Sequence, residues 1–302
     1  MFSFIKWFGN YFEKIKKNKG LWFTFLTTIS LIGIFVSLYF VNFLVSDVAK
    51  KTYENQTKHY VLEFKDELNQ QIVSNRLIAS ILSKDETIGN LIFDQNSSSK
   101  LKQKLSSTES LLNSEFGKNI VSVDLEKYNK QEKKIGLDIS KKGAVILASL
   151  PMAKKDENII NIEVKKDITS IVDFYKKEQK DFLFFLTQNS INKIDRDYKK
   201  SHYQNFGDKY FIDSSKFNPN FLGSLKSTKL PKEMKDSGYI KGAKYFYVYK
   251  KVYDIRGDLA GFAVVGEEIS GNNSFVNLVK NLVNSVTLVA LGLIISMILF
   301  LF

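Results

Sequence analysis

The sequence has no cysteine, only three prolines and only two histidines among its 302 residues. Without cysteine the chain cannot form a disulfide and has no thiolate to act as a nucleophile or metal ligand. Histidine is the residue most used for acid–base catalysis and metal binding, so only two histidines leave few candidates for such sites. Because prolines are so sparse, long stretches are free to form uninterrupted helices.

Motifs of catalysis are also missing. The sequence contains no H-E-x-x-H, no Walker glycine loop and no G-x-S-x-G. His59 lies in a predicted long helix and His202 in a lysine-rich one, where a solvated side chain is the simpler interpretation. Asp195 and Asp197 flank Arg196 in a pattern that solvated helix charges explain better than a cation site. We therefore predict a protein that is not an enzyme and holds no metal or cofactor.

Positive charge is in excess, since 44 lysines and arginines accompany 32 acidic residues for a net charge of +12. Such a balance often indicates nucleic-acid binding, but residues 21–44 and 282–302 are apolar runs without a single charge. Each has the roughly 20 residues that a helix needs to cross a bilayer core of about 30 Å. We predict two transmembrane helices and no nucleic-acid partner.

The flanks of these segments predict their orientation. Residues 1–20 hold five lysines and one glutamate, which favours the cytoplasm, and their aromatic residues recur as in a basic amphipathic helix at the membrane surface. Residues 45–281 are then extracytoplasmic and carry +8 of the net charge, because both spans are uncharged. A lysine-rich solvated surface accounts for this excess, as does attraction of an anionic ligand or of lipid head groups.

Residues 47–86 contain neither proline nor glycine and predict one long helix outside the membrane. A stripe with spacings of three and four runs along it: Val61, Phe64, Leu68, Ile72, Asn75, Ala79 and Leu82. A helix of about 60 Å needs a partner along such a stripe, either a second copy or the domain that follows. We expect both, with a homodimer contact near the membrane and packing on the domain further out.

Beyond residue 95, strand-like runs alternate with helical patterns, which predicts an α+β fold of antiparallel sheets flanked by helices. The predicted order is the long helix over 45–94, a membrane-distal lobe over 95–180 and a membrane-proximal lobe over 181–275. Strands are expected at 119–125, 143–152, 158–164, 181–188, 207–213, 244–253 and 259–266, and helices at 167–179 and 190–204. Segments 143–168 and 243–269 share a strand–turn–strand pattern that predicts a weak internal repeat.

The stretch KYFYVYKKVYDIRGDLAGFAVVGEE over 244–268 places tyrosines at alternate positions of a strand. Because successive side chains of a strand point to opposite faces, both faces are apolar here, and we expect helices over both. The tyrosines either pack against these helices or line a pocket and donate hydrogen bonds to a small ligand. The candidate ligand-binding residues, with polar partners from neighbouring elements, are Tyr247, Tyr249, Tyr210, Asp213 and Lys250.

After the tyrosines, Asp254 and Gly257 predict a capped turn in which the glycine takes a positive φ. Gly261 lies in the next strand and spares a side chain where a helix or ligand comes close. With Val252, these residues resemble the closing strands of the Cache (PAS-like) extracytoplasmic sensors of bacterial methyl-accepting chemotaxis proteins. The segment NRLIASILSKDETIGNLIF similarly resembles the start of the double-Cache type.

This resemblance covers about residues 45–275 and implies a dimeric small-molecule sensor of the bacterial inner membrane. Some double-Cache receptors hold amino acids through a signature of tyrosine, arginine, tryptophan and aspartate. That signature cannot be placed here, because both tryptophans precede residue 45, so the ligand stays open. The sensor region of a histidine kinase or cyclic-dinucleotide enzyme fits the same residues, as does a bitopic envelope scaffold. For a chemoreceptor, a HAMP linker and a signalling coiled coil are expected to follow Phe302.

Overall fold

The computed structural model describes residues 19–94, 97–116, 121–128, 133–155, 158–207, 209–213, 215–228, 235–269 and 275–301. The chain divides into two compact units, residues 1–53 with 275–302 and residues 54–274. Within the described residues, no helix meets the combined length and apolar character of a membrane span. The two spans therefore stay predictions, and the predicted basic segment 1–20 lies outside the described residues except for its last two.

Helices and strands follow one another along the chain as α1 (Lys19–Leu82), α2 (Glu86–Phe93), α3 (Ser98–Phe116), β1 (Val121–Tyr128), β2 (Lys134–Ser140), β3 (Gly143–Lys155), β4 (Asn158–Asp167), α4 (Thr169–Lys177), β5 (Asp181–Thr187), α5 (Gln188–Ile191), α6 (Arg196–His202), β6 (Tyr203–Phe206), β7 (Tyr210–Asp213), α7 (Pro219–Lys226), β8 (Ser237–Lys241), β9 (Tyr245–Tyr253), β10 (Leu259–Glu268) and α8 (Phe275–Leu301). This sequence of elements confirms the α+β class with a long first helix.

From Glu54 onward, α1 presents its predicted stripe to the second unit, where Phe64 and Ala79 are buried. The polar member of the stripe, Asn75, is buried because its side-chain amide holds the first sheet. Its Nδ2 donates to the backbone carbonyls of Ile146 (2.6 Å) and Val164 (2.8 Å). The stripe thus packs on the domain, which was one of the two partners predicted for it.

The long helix ends at Leu82, before the end of the proline- and glycine-free stretch at 86 and before the predicted boundary at 94. The reason is a cap at Asp85, whose side chain accepts hydrogen bonds from the backbone N–H groups of Thr87 and Ile88. An aspartate in this position starts a new helix because it satisfies N–H groups that have no partner within the helix. The chain therefore forms a separate short helix, α2.

Two antiparallel sheets make up the second unit, with strand orders β1-β4-β3-β2 and β6-β7-β5-β10-β9-β8. The first strand of each sheet along the chain is β1 or β5, and the last, here called the closing strand, is β4 or β10. In each sheet the first strand lies beside the closing strand. The closing strand also forms a hairpin with the strand before it, and each hairpin contains one register irregularity. The predicted repeat corresponds to these two hairpins, which take the same place in the two sheets.

Helices cover both faces of the second sheet, as its two-sided apolar pattern predicted. On the face that carries the tyrosines, α7 packs its Phe221 against the ring of Tyr247, with 5.4 Å between centroids. On the opposite face, Phe64 of α1 and Tyr175 of α4 stack on Phe182 of β5 at 6.0 Å and 5.4 Å. Strand β9 is therefore at the centre of a sandwich rather than at a surface.

The turn between β9 and β10 has the predicted geometry. The side chain of Asp254 accepts hydrogen bonds from two backbone N–H groups of the turn, at 2.9 Å and 3.0 Å, and Gly257 has a φ of 85°. A Cβ on Gly261 would lie 1.7 Å from the carbonyl oxygen of Phe185. The close neighbour is thus the backbone of strand β5, and neither a helix nor a ligand.

The helix predicted over 190–204 is wrong, because this segment contains the end of α5, a break, α6 and the first two residues of β6. At the break, Ile194 is buried and the backbone N–H of Asp195 donates to the carbonyl of Lys141 at 2.9 Å. This contact with the first sheet interrupts the helix. Strands β2, β6 and β8 and helix α7 were not predicted, although Ile135, Leu137 and Ile139 of β2 alternate with polar or small residues as in a strand.

Candidate functional site

A groove of about 600 Å³ opens between α1, α3, β4 and α4 in the second unit. This volume lies within the range of small-molecule sites, roughly 300–1,000 Å³. Its lining combines charges of both signs with two aromatic rings: Glu67, Gln71, Glu115, Phe116, Lys166, Ser170, Asp173, Phe174, Lys176 and Lys177. None of the five ligand-binding residues predicted from the sequence is among them.

Two buried charges face the groove. Glu67 on α1 is 5% exposed and Lys166 on β4 is 4% exposed. The side-chain amide of Gln71 joins them, since its Nε2 donates to Oε1 of Glu67 at 2.5 Å and its Oε1 accepts from Nζ of Lys166 at 2.6 Å. Among the described residues, the carboxylate and the ammonium form no direct ion pair.

Local structure explains how these side chains meet. Glu67 and Gln71 are one helical turn apart on α1 and so share a face. Lys166 follows Ile162 and Val164 at alternate positions of β4, which turns all three side chains toward the helices. Its ammonium group also lies 4.4 Å from the ring centroid of Phe116, in a cation–π contact.

Burial governs the electrostatics of the groove. It lowers the pKa of Lys166 below the ordinary value for lysine, although the negative charge of Glu67 acts in the opposite direction. The neighbouring hydroxyl of Tyr175 is buried without a hydrogen-bond partner among the described residues. Burial raises the pKa of Tyr175, and the charges of Glu63 and Glu67 raise it further. The groove is thus lined by the buried side chains of Lys166 and Glu67, and the phenol of Tyr175 lies nearby without lining it.

This arrangement suits binding better than catalysis. The buried ammonium donates hydrogen bonds and the buried carboxylate accepts them, so the groove offers two fixed points of opposite charge. The rings of Phe116 and Phe174 supply apolar surface beside these points. Within the described part of the chain, no cluster of three carboxylate or histidine side chains is placed to hold a metal ion.

The predicted tyrosines lie together on one face of the second sheet. Tyr247 is completely buried, and its hydroxyl donates to Oγ of Ser224 at 2.8 Å. Burial raises its pKa, with the hydrogen bond acting in the opposite direction. Tyr210 and Tyr249 both meet the ring of Phe262 edge-on, at 5.4 Å and 6.4 Å between centroids. These contacts are those of side chains that pack.

Asp213 and Lys250 point to the other face of that sheet, away from the tyrosines, as the strand register requires. Asp213 accepts a hydrogen bond from the hydroxyl of Ser215 at 2.5 Å and lies 3.8 Å from the ammonium of Lys216. Lys250 forms an ion pair with Asp236. The structure does not bring the five residues into one site, and their role toward a ligand stays a prediction.

Sequence reasoning missed Glu67, Gln71 and Lys166. One signal was readable: a lysine that continues the apolar alternation of Ile162 and Val164 is expected to be buried, and a buried lysine marks an unusual environment. No comparable signal exists for the other two. A glutamate and a glutamine one turn apart are common on solvated helix faces, so only the neighbouring strand identifies them.

No protein-family model and no curated protein matches the chain. Among solved structures, it is similar to the sensor domain of the V. cholerae histidine kinase DctB, with 11% identity, a TM-score of 0.36 and coverage of 70% of this chain and 98% of that one. It is also similar to the ligand-binding domain of Mlp24 with asparagine, with 12% identity, a TM-score of 0.30 and coverage of 81% and 99%. Similarity at TM-scores this low does not identify a function, so the site is interpreted from the chain's own residues.

Proposed function

We propose that residues 54–274 bind a small molecule in the groove and form the ligand-sensing region of a bacterial transmembrane chemoreceptor. The observation that carries the proposal is the pair of buried opposite charges, Glu67 and Lys166, that face open space. Buried charges in structural roles are normally paired directly, because desolvation is costly. Buried charges whose pairing is incomplete, at a concave surface, are typical of binding sites.

The charges of the groove define the chemistry of its ligand. Glu67 would accept hydrogen bonds from a cationic group such as an ammonium, and Lys166 would donate them to an anionic group such as a carboxylate. A molecule with both groups satisfies both protein charges, whereas a singly charged one leaves the other unpaired. We therefore expect a small dipolar molecule whose cationic group carries N–H donors, such as an amino acid, rather than the purely anionic ligand that the net charge favours.

A membrane location is supported by the two apolar runs and by the exposure of their side chains. Ile32, Phe35, Tyr39 and Phe43 on α1 are between 57% and 73% exposed, and Leu288 and Val289 on α8 are 69% and 65% exposed. Apolar side chains exposed in such numbers indicate contact with lipid or protein. We place the apolar runs 21–44 of α1 and 282–302 of the last segment in the inner membrane and residues 45–281 outside it, without an enzymatic role.

Contacts of α1 offer a route from the groove toward the last strand. About two turns before Glu67, the hydroxyl of Tyr60 donates to Glu267 near the end of β10 at 2.6 Å. Between them, Glu63 pairs with Lys180 at 2.7 Å, just after α4, which forms another wall of the groove. A ligand that shifts α1 against α4 would thus alter the end of β10, the strand that precedes α8.

We also assign the homodimer contact to the outer face of α1. Because the predicted stripe packs on the domain, a different row of apolar side chains is left outside: Leu62, Val73, Leu77 and Ile81, between 48% and 70% exposed. Rows of this kind on long helices associate with like rows.

The ligand proposal is tested on the full chain in lipid nanodiscs by titration calorimetry with amino acids, with betaine as a dipolar comparator that lacks N–H donors, and with acetate and methylammonium as singly charged comparators. We expect a dipolar molecule to bind. Lys166→Met should weaken its binding tenfold or more, since a hydrogen bond to a charged group contributes about 1.5–3 kcal/mol. The change leaves the buried carboxylate of Glu67 without a compensating charge and should lower the Tm, so binding is measured below the unfolding transition of each variant. Lys65→Met, at an exposed position of α1, is the matched control.

Failure of every dipolar molecule to bind would contradict the proposal, as would an unchanged affinity in Lys166→Met. Binding of acetate alone would keep the groove as the site and replace the dipolar ligand by an anion.

A further inference from the structure

We propose that Gln71 determines the affinity of the groove, because its side-chain amide occupies the place of a ligand's charged groups. The inference rests on the proposed ligand site and adds a gating role for one residue within it. A primary amide has a donor and an acceptor at opposite sides of one planar group. It is therefore an uncharged analogue of a molecule that carries an ammonium and a carboxylate.

The orientation of this amide follows from the charges around it. Its NH₂ group donates to the carboxylate of Glu67 at 2.5 Å, and its carbonyl accepts from the ammonium of Lys166 at 2.6 Å. The reversed orientation would place the NH₂ group against the ammonium and the carbonyl against the carboxylate. Gln71 is thus held in one orientation by two buried charges, and it reduces the cost of burying both.

A second side-chain amide on α1 has a structural role and serves as a comparison. Asn75, one turn further along, is fully buried and donates to the backbone carbonyls of Ile146 and Val164. These partners belong to strands β3 and β4, so Asn75 cannot be released without opening the contact between α1 and the sheet. The partners of Gln71 are two side chains at a groove, and Gln71 itself is only half-buried.

Gln71 can therefore leave its position while the fold persists. When a dipolar ligand enters, its ammonium replaces the NH₂ group at Glu67 and its carboxylate replaces the carbonyl at Lys166. Hydrogen bonds between two charged groups then replace the hydrogen bonds between each protein charge and the neutral amide. The observed affinity is the difference between these two sets of bonds, so Gln71 lowers it.

Removing the amide should have two opposite effects. In the full chain, Gln71→Ala should lower the Tm by roughly 2–8 °C, because two buried charges lose a partner. The same change should tighten the binding of the dipolar probe about tenfold, because no side chain has to be displaced. Gln70→Ala changes the exposed neighbour on the same helix and should alter neither property.

Chemical rescue gives a readout that does not depend on the ligand. Acetamide supplies the CH₂–CO–NH₂ group that Gln71→Ala lacks and matches the vacated volume. We expect acetamide at millimolar to molar concentration to raise the Tm of Gln71→Ala and to leave the wild type and Gln70→Ala unchanged. A residue with a merely structural role on the helix surface would show no such selective recovery.

The outcomes separate this inference from the proposed function. If the wild type binds an amino acid and Gln71→Ala binds it equally or more weakly, the gating role is wrong and the ligand site stands. If neither protein binds an amino acid, the ligand proposal and the gating role both fail, and stabilisation of Gln71→Ala alone by acetamide would then show only that the amide bridges two buried charges. If both binding and rescue are absent, both ideas are overturned.

Discussion

Tyr247 on β9 and Gln71 on α1 each bring polar atoms into the second unit, but they meet different surroundings. The hydroxyl of Tyr247 donates to Ser224 and its ring stacks on Phe221, so the protein alone satisfies every part of the side chain. Gln71 stands between a buried carboxylate and a buried ammonium beside a groove of about 600 Å³. There, the protein provides one neutral amide for two full charges and, for Lys166, the ring of Phe116.

The difference shows which kind of buried polarity indicates a binding site. Aromatic side chains bury large areas and find one partner for their polar tip, so a dense row of them indicates packing. A buried charge has a larger desolvation cost, and incomplete pairing of such a charge at a cavity leaves a place for a ligand. Substitutions at Tyr247, Asp254 and Leu77 test this distinction, in order of decreasing expected effect.

Tyr247→Ala should destabilise the protein by about 3–5 kcal/mol, as is usual when a buried aromatic side chain is truncated and a cavity is left. The affinity of the folded protein for a groove ligand should not change. Urea unfolding measures the first quantity and calorimetry below the unfolding transition measures the second. Tyr253→Ala, on the same strand but 50% exposed, should cost no more than about 1 kcal/mol.

Tyr247→Phe keeps the ring and removes only the hydroxyl. If this variant lost ligand binding while keeping its stability, the tyrosine face would belong to the site and the distinction would be wrong.

Asp254 is a buried charge that does not line the groove, so its substitution tests whether burial of a charge by itself affects ligand binding. Its carboxylate is fully buried and pairs with Lys193 and Arg256, each at 3.0 Å. Asp254→Asn should cost about 1–3 kcal/mol through the loss of these charged hydrogen bonds and should leave ligand affinity unchanged. Asp258→Asn, whose side chain is 69% exposed, is the control and should cost less than about 0.5 kcal/mol.

The stability that Asp254 contributes depends on pH. Burial by itself raises the pKa of Asp254, but hydrogen bonds from Lys193 and Arg256 outweigh it and hold the pKa below the ordinary 3.8. Because the folded value is the lower one, the contribution is complete above the ordinary value and disappears as the pH falls through the folded one. The difference in unfolding free energy between the wild type and Asp254→Asn should therefore shrink in acid. A difference that grew would contradict the assignment.

Leu77 has an apolar side chain that is exposed and uncharged. Leu77→Glu should change the stability of the monomer by less than about 0.5 kcal/mol and should weaken the homodimer, as measured by sedimentation in detergent. Because the chain has no cysteine, Leu77→Cys also provides a single thiol for oxidative cross-linking across the dimer. Leu111→Cys, on α3 with 66% exposure, is the matched control. Equal cross-linking of both would exclude the outer face of α1 as the specific contact.

Much of the fold could be predicted because local patterns and tertiary packing agree. The β9–β10 hairpin is an example, since the side chain of Asp254 can cap the turn, Gly257 can adopt the positive φ that the turn needs, and the flanking apolar runs have the length of buried strands. The long helix was predicted but ends earlier, and the break came at Asp85, a helix-capping residue. Where pattern and packing disagree, as at Ile194, the contact with the first sheet prevailed.

The groove could not be predicted in the same way. Its two charges come from positions 67 and 166, which are far apart in sequence, and neither belongs to a spacing motif. The tyrosine row drew attention because it is conspicuous along one strand, whereas the pairing of Glu67 with Lys166 through Gln71 requires α1 to lie across β4. Local periodicity contains no information on that crossing.

By itself, the sequence determined the α+β class, the long helix, the two repeated hairpins and the absence of thiol chemistry, because these depend on composition and short-range periodicity. Only the tertiary structure decided which buried polar groups are satisfied. It showed that Tyr245, Tyr247 and Tyr249 of β9 are buried and that a carboxylate and an ammonium from distant segments share one amide at the edge of a groove. The physical reason is that desolvation and charge pairing depend on neighbours in space, and the chain alone does not name those neighbours.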